Sequence, residues 1–138
     1  MKNILTKKQI SALEYEVTGA CIEIHQMLGP GLLESVYHRC LERELQLRNI
    51  YYRSEYVIDI DYKNTVINTA LRADLLIENC LVVELKSVDA IHPIFEAQIL
   101  TYMKLLSVPK GLLINFNCTN IIYNGKKTFV NELYRDLP

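Results

Sequence analysis

The chain has 138 residues, half of them hydrophobic and 22% charged, with a formal net charge of −1. That length suits one domain around one core, and that composition excludes a disordered chain. The near-zero charge excludes a binder that grips nucleic acid through a dominant basic field, although carboxylates offset by a bound cation would escape this argument.

The apolar runs are too short to span a bilayer, and the terminus Met1-Lys2-Asn3-Ile4-Leu5-Thr6 has no signal-peptide core. The expectation is a soluble, cytoplasmic protein, with residues 1–138 as a single domain. Cys21, Cys40, Cys80 and Cys118 are widely spaced, with no C-x-x-C pair. They read as small buried hydrophobes in a reducing compartment, not as a zinc ribbon. No spacing or turn marks Cys21 or Cys40 as a nucleophile for His25 or His38.

From about Thr6 to Leu28, Ile10, Leu13, Val17, Cys21, Ile24 and Leu28 recur at helical spacing. Thr6-x-x-Gln9 and Ser11-x-x-Glu14 are competing capping boxes for its start. Gly29-Pro30-Gly31 ends the helix in a tight reversal. A second helix follows from about Leu32 to Arg48, with Tyr37, Leu41 and Leu45 as its apolar row. Leu33, Val36 and Cys40 lie alongside that row. Glu34 falls on the row itself, which puts a carboxylate on the buried side. The plainer reading places Glu34 third in a helix capped by Gly31, where it complements the helix dipole. His25 and Glu34 are equidistant from the bend, so an antiparallel helix pair would let them approach.

The stretch Tyr51 to Tyr62 alternates as a half-exposed strand, with Asp59 and Asp61 on its solvent face. Lys63-Asn64 reads as a turn. A second strand is expected from Thr65 to Ile77, and a third from Leu81 to Ser87. His92-Pro93 opens a helix that runs to about Leu106, with Phe95, Ile99, Tyr102, Met103 and Leu106 on its apolar face. Gln98 and Tyr102 lie one turn apart there, a pairing that ordinary packing explains by itself. Gly111–Phe116 is a continuous apolar strand, placed to pair in parallel with an earlier one through a right-handed crossover. The last strand is either Ile121–Tyr123 or Lys127–Val130. The order α-α-β-β-β-α-β-β predicts an α/β fold, a mixed sheet flanked by helices.

Three charges stand out because they sit inside apolar strands: Asp74, Glu84 and Lys86. Unpaired charge is costly to bury, so they are either paired or gathered around something. Glu84 and Lys86 share a strand face. A turn through Glu78-Asn79-Cys80, with Ile77 opposite Leu81, sets Val82 opposite Leu76 and Asp74 opposite Glu84. Facing carboxylates repel unless a cation lies between them. Lys86 supplies part of that charge, and a divalent metal supplies it better.

Asp74 followed nine residues later by Glu84-Leu85-Lys86 resembles the D-x(n)-E-x-K signature of the PD-(D/E)xK nuclease superfamily, whose restriction-endonuclease-like core runs αβββαβ. Gly31-Leu32-Leu33-Glu34-Ser35-Val36-Tyr37, after Leu28-Gly29-Pro30, is similar to the hallmark of the GxxExxY proteins. Gln98-x-x-x-Tyr102 resembles a motif of RecB-like and lambda-exonuclease-like enzymes. The resemblance covers about Thr6 to Val130.

It implies a nuclease that uses Mg²⁺ or Mn²⁺ and acts on DNA ahead of RNA. Asp74, Glu84 and the Leu85 main-chain carbonyl would be metal ligands, and Glu34 would approach the same ion. Lys86 would orient or deprotonate the attacking water, or stabilise the transition state. Gln98 and Tyr102 would touch substrate, and His25 is a secondary ligand candidate. Having no helicase or separate DNA-binding region, the chain would act alone, as a homo-oligomer or in a complex with other DNA-processing proteins. The iron–sulfur cysteines of some RecB-like nucleases are not matched. The alternative is a catalytically silent nuclease-fold protein that binds nucleic acid or serves as structure, with Lys86 closed in an ion-pair network.

Overall fold

The computed structural model describes residues 5–138; the first four, on which the reading of the terminus largely rests, lie outside it. Helix α1 spans Lys7–Leu28. Of the competing capping boxes, the first forms: Gln9 N–H donates to Thr6 Oγ1 at 3.2 Å, and Thr6 N–H donates to Gln9 Oε1 at 3.0 Å. Gly29 and Gly31 then take φ of 70° and 94°, a region glycine enters without a Cβ clash.

Helix α2 spans Glu34–Leu47 and buries Tyr37, Leu41 and Leu45, the expected row. Its start corrects the expectation. Leu33 is the cap, so Glu34 is the first helical residue rather than the third of a helix capped by Gly31. Tyr37 is the reason. Its hydroxyl donates to the Gly29 carbonyl at 2.6 Å and accepts the Leu32 N–H at 3.2 Å. Residues 29–32 are thereby held against the first turn of α2 instead of being absorbed into it.

The main sheet has the order β1-β4-β5-β6-β7, with β1 at Tyr52–Val57, β4 at Arg72–Ile77, β5 at Leu81–Lys86, β6 at Lys110–Asn115 and β7 at Lys126–Val130. Strand β6 pairs in parallel with β5, and the other neighbours are antiparallel. Helix α3, Pro93–Leu106, makes the crossover. The His92 ring caps it, with Nδ1 accepting the Ile94 N–H at 3.0 Å. Elements α2, β1, β4, β5, α3 and β6 reproduce the expected αβββαβ order.

Both long strands expected between Tyr51 and Ile77 are broken in the structure. Strands β2, Ile60–Tyr62, and β3, Thr65–Ile67, form a separate two-stranded ribbon. Ile58 sets the break. It is buried, its N–H donates to the Leu71 carbonyl at 2.9 Å, and its carbonyl accepts Thr69 Oγ1 at 2.6 Å. The chain is tied off at this waist and the ribbon leaves the sheet. Alternation reports a strand's period but not a change in its direction. At the other end, Ile121–Gly125 is a single π-helical turn, so the last strand is the second of the two alternatives. A short helix α4, Glu132–Arg135, follows it.

The core lies on both faces of the sheet. Leu75, Ile77, Leu81, Val83 and Leu85 pack with α1 and α2 through Val17, Cys21, Ile24, Tyr37, Leu41 and Leu45. Leu76 and Val82 pack with α3 through Ile99, Tyr102 and Met103. All four cysteines are free thiols. Among the described residues no helix is long and apolar enough to cross a membrane.

Candidate active site

The β4–β5 hairpin has the register read from its apolar rows: Ile77 faces Leu81, Leu76 faces Val82 and Leu75 faces Val83. Glu78 and Asn79 make the turn with positive φ. Glu84 therefore falls on the α3 face, two residues beyond Val82. Asp74 stands beside it on β4, where strict alternation lapses because its neighbour Ala73 also packs in the α3 cluster.

At this point side chains take over from the backbone ladder. The Asp74 N–H donates to Glu84 Oε2 at 2.7 Å, and the Leu85 N–H donates to Asp74 Oδ2 at 2.8 Å. Each carboxylate thus accepts a main-chain donor of the opposite strand, which satisfies N–H groups that would otherwise be orphaned. Each spends one oxygen in doing so. The second oxygens, Oδ1 and Oε1, have no hydrogen-bond partner among the described residues, and neither is sealed from solvent. The pair is clamped from one side and open on the other.

Burial raises the carboxyl of Glu84, only 5% exposed, to about 8, and the neighbouring Asp74 charge adds to the rise. Burial likewise raises Asp74, opposed by the Leu85 N–H. Two desolvated carboxylates side by side resist joint ionisation, so the site lacks positive charge. Lys86 does not supply it by contact. Among the described residues no ion pair joins Lys86 to Asp74, Glu84 or Glu34. Its Nζ lies 4.4 Å from the centre of the Phe95 ring. The closed network expected under the alternative reading is not formed.

The donor set fits a hard divalent cation. Two carboxylate oxygens are free, and Leu85 offers a third oxygen. Lys86 carbonyl accepts the Phe116 N–H, so Lys86 turns its main chain toward β6. Leu85 then turns its N–H and carbonyl the other way, toward Asp74, as strand alternation requires. An all-oxygen set of this kind suits Mg²⁺ or Mn²⁺. Glu34 stands farther off. Among the described residues no three Asp, Glu, His or Cys side chains gather closely enough to hold one ion. Glu34 does share the local field: burial raises its carboxyl, Lys86 lowers it and Asp74 raises it again.

Gln98 and Tyr102 reach the same face from α3. Tyr102 is 4% exposed, and its hydroxyl is raised by burial and then by the Glu84 and Asp74 charges, with Gln98 opposing. His25 stands in the last turn of α1. Its Nε2 lies 2.9 Å from the Cys118 carbonyl, and the Cys118 sulfur is 3.8 Å away.

Three neighbours escaped the sequence reading. Phe95 appeared there only as a core residue. His38 lies one helical turn after Glu34, a spacing that was legible. Its charge lowers both Asp74 and Glu34, and its Nε2 donates to Ser54 Oγ at 3.2 Å, while Ser54 donates to Glu42 at 2.6 Å. With Ser35, Arg39 and Glu55 these residues line a cavity of about 260 Å³ that adjoins the carboxylates without including them. Glu55 was beyond reach of any local signal. Ser54 faces Leu75 and Tyr56 faces Ala73, which leaves Glu55 level with Asp74, at a φ of 49°.

The family model of the PD-(D/E)XK nuclease superfamily matches residues 11–127. No curated protein and no solved structure matches the chain. The match runs from α1 into β7 and contains the strand pair with its clamped carboxylates, the neighbouring lysine and the crossover helix. Signature, strand order and charge placement agree along that whole length, and the chain belongs to the PD-(D/E)XK nuclease superfamily.

Proposed function

We propose that residues 1–138 form one divalent-metal-dependent phosphodiesterase domain that cleaves nucleic acid, DNA ahead of RNA. One observation carries this reading above the others. Asp74 and Glu84 are fixed by each other's strands, are paired with no lysine or arginine among the described residues, and each keep one oxygen accessible. Neutral acceptors would serve those two N–H groups equally well, so the desolvated charge itself weighs against the stability of the fold. They make sense as a seat for a cation. The GxxExxY pattern from Gly31 to Tyr37 supports the narrower family assignment.

Asp74, Glu84 and the Leu85 carbonyl would hold Mg²⁺ or Mn²⁺. When bound, that ion supplies Lewis acidity toward a phosphate oxygen and a water of lowered pKa. Lys86, on the same strand face as Glu84, orients the attacking water or takes its proton and offsets charge on the phosphorus oxygens. Gln98 and Tyr102 contribute an amide and a hydroxyl to the phosphate side. Glu34 would tune the field of the site from α2. His25, engaged by Cys118, is left out of the ligand set.

The test is cleavage of several DNA and RNA substrates with and without Mg²⁺ or Mn²⁺. Asp74→Ala and Lys86→Ala are each expected to lose at least about 10²-fold, the usual contribution of one positioned proton-transfer group or more. Equal cleavage by wild type and both variants would assign the activity to a contaminant and sink the reading. Calorimetry adds an independent arm: saturable Mn²⁺ binding is expected in wild type and lost in Asp74→Ala.

A further inference from the structure

Phe95 solves a problem that the strand pair creates. Lys86 follows Glu84 by two residues, so both side chains leave the same face of β5. Across the hairpin stands Asp74, whose N–H donates to Glu84 and whose carboxylate accepts the Leu85 N–H, one residue before Lys86. An ammonium on a flexible four-carbon stem, beside two carboxylates short of positive charge, would ordinarily close onto them. A lysine so bound would occupy the free oxygens Oδ1 and Oε1 and block the seat of the cation. In the structure it does neither. The Nζ rests 4.4 Å from the Phe95 ring centre, and no carboxylate lies within ion-pairing distance of it among the described residues.

The ring is well placed for this. Phe95 stands in the first turn of α3, behind the His92 cap and Pro93, both of which stiffen the helix start. It is partly buried against the cluster of Ile99, Tyr102, Met103 and Val82, and its ring carries the Lys86 ammonium. His92 adds an edge-on contact at 6.3 Å between ring centres. An aromatic face attracts an ammonium without neutralising it, because the ring carries a quadrupole and no charge. The lysine is therefore held without being tied into an ion pair.

We propose that Phe95 is a positioning residue that parks the Lys86 ammonium off the Asp74–Glu84 pair, keeping both carboxylates available to a divalent cation and the lysine free to turn toward substrate. The inference rests on the nuclease reading for its purpose, but its geometry is testable without activity.

The experiment uses the full chain in four forms: wild type, Phe95→Leu, Phe95→Tyr and Lys86→Met, with the Phe95→Leu/Lys86→Met double variant to close a cycle. The first readout is the Lys86 Hε proton resonance, measured without metal. In wild type it is expected upfield of an exposed lysine, shifted by the ring current, and unchanged in Phe95→Tyr. In Phe95→Leu it should return to the ordinary position. A wild-type resonance already at the ordinary position overturns the proposal, whatever the protein does to nucleic acid.

The second readout is Mn²⁺ affinity by calorimetry. Phe95→Leu is expected to weaken it about threefold, the scale of one cation–π contact, with Phe95→Tyr restoring it. In the Lys86→Met background the same leucine substitution should change nothing. An equal loss in both backgrounds would show that Phe95 acts through packing alone and would overturn the proposal. Absence of Mn²⁺ binding in every form would sink the nuclease reading and the parking function together, while the proton shift still reports where the ammonium sits.

Discussion

Two of the charge clusters among the described residues, one around Glu14 and one around Asp74 and Glu84, are handled in opposite ways. Glu14 on α1 meets Lys110 at 2.9 Å and Lys126 at 3.1 Å, tying the helix to β6 and β7. Burial works to raise the Glu14 carboxyl, but hydrogen bonds and charge from the two lysines outweigh it and hold the group below its ordinary range. Asp74 and Glu84 are more deeply buried, hydrogen-bonded to N–H groups alone, and raised. Their lysine is within the same field yet stands on a phenylalanine ring. Both clusters have carboxylates and lysines near one another. Only one lets them pair. The first is a structural tie, complete within the chain. The second is left short of positive charge, the condition that a seat for a cation requires.

The contrast can be tested by its consequences for stability. The largest effect is expected from the closed cluster. Glu14→Gln leaves two ammoniums facing a neutral amide, and the denaturant midpoint should fall by an amount equal to about 2 kcal/mol. That is below the 3–5 kcal/mol typical of a broken, fully buried pair, because these side chains keep some contact with water. Mn²⁺ affinity should not change. An unaltered midpoint would mean that the tie contributes no stability.

The open cluster should respond with the opposite sign. Glu84→Gln retains an oxygen to accept the Asp74 N–H but removes a desolvated charge. Without metal at pH 8, it should be more stable than wild type by about 1 kcal/mol, while losing Mn²⁺ binding. The pH dependence follows from the raised carboxyl. A group whose folded value lies above its unfolded value favours the native state when protonated. Its stabilisation is complete below 4.5 and is lost as pH rises to about 8. Wild-type stability without metal should therefore decline across that window, and less so in Glu84→Gln. Glu14, held low, contributes in the reverse direction: its stabilisation is present above the ordinary value and lost as the solution is acidified. Thermal melts of wild type, Glu14→Gln and Glu84→Gln across this range would separate the two. Parallel curves would refute the distinction.

An effect on stability with none on metal affinity is expected at the bend that leads into α2. Tyr37→Phe keeps the ring stacked on Phe116, with centres 4.2 Å apart, but removes the hydroxyl that joins Gly29 to Leu32. A loss of about 1 kcal/mol is expected from those hydrogen bonds. Mn²⁺ affinity should hold, since Asp74 and Glu84 are set by the hairpin. A large loss of affinity would move Glu34 from a tuning role to a ligand role.

The hairpin was legible because its register follows from a short-range pattern. With a period of two, a one-residue slip would set Leu76 and Val82 against the wrong partners and faces, so the matched apolar rows and the three-residue turn favour one arrangement. The same local logic explains the rows of α1, α2 and α3, the Thr6 cap and the glycine bend. In α2 the row held while the first turn did not, because the Tyr37 hydroxyl reaches back across the loop to the Gly29 carbonyl.

What only the tertiary structure decided involves partners far apart in sequence. The break at Ile58 depends on Thr69 and Leu71. Glu55 reaches the level of Asp74 only through the pairing of β1 with β4, which no local signal encodes. The position of Lys86 depends on α3 lying across the sheet and offering Phe95 to the ammonium. By itself the sequence determined which charges would meet, since periodicity places side chains on faces. Whether they would neutralise one another was decided by the fold, because the outcome turned on which side chain stood nearest the lysine.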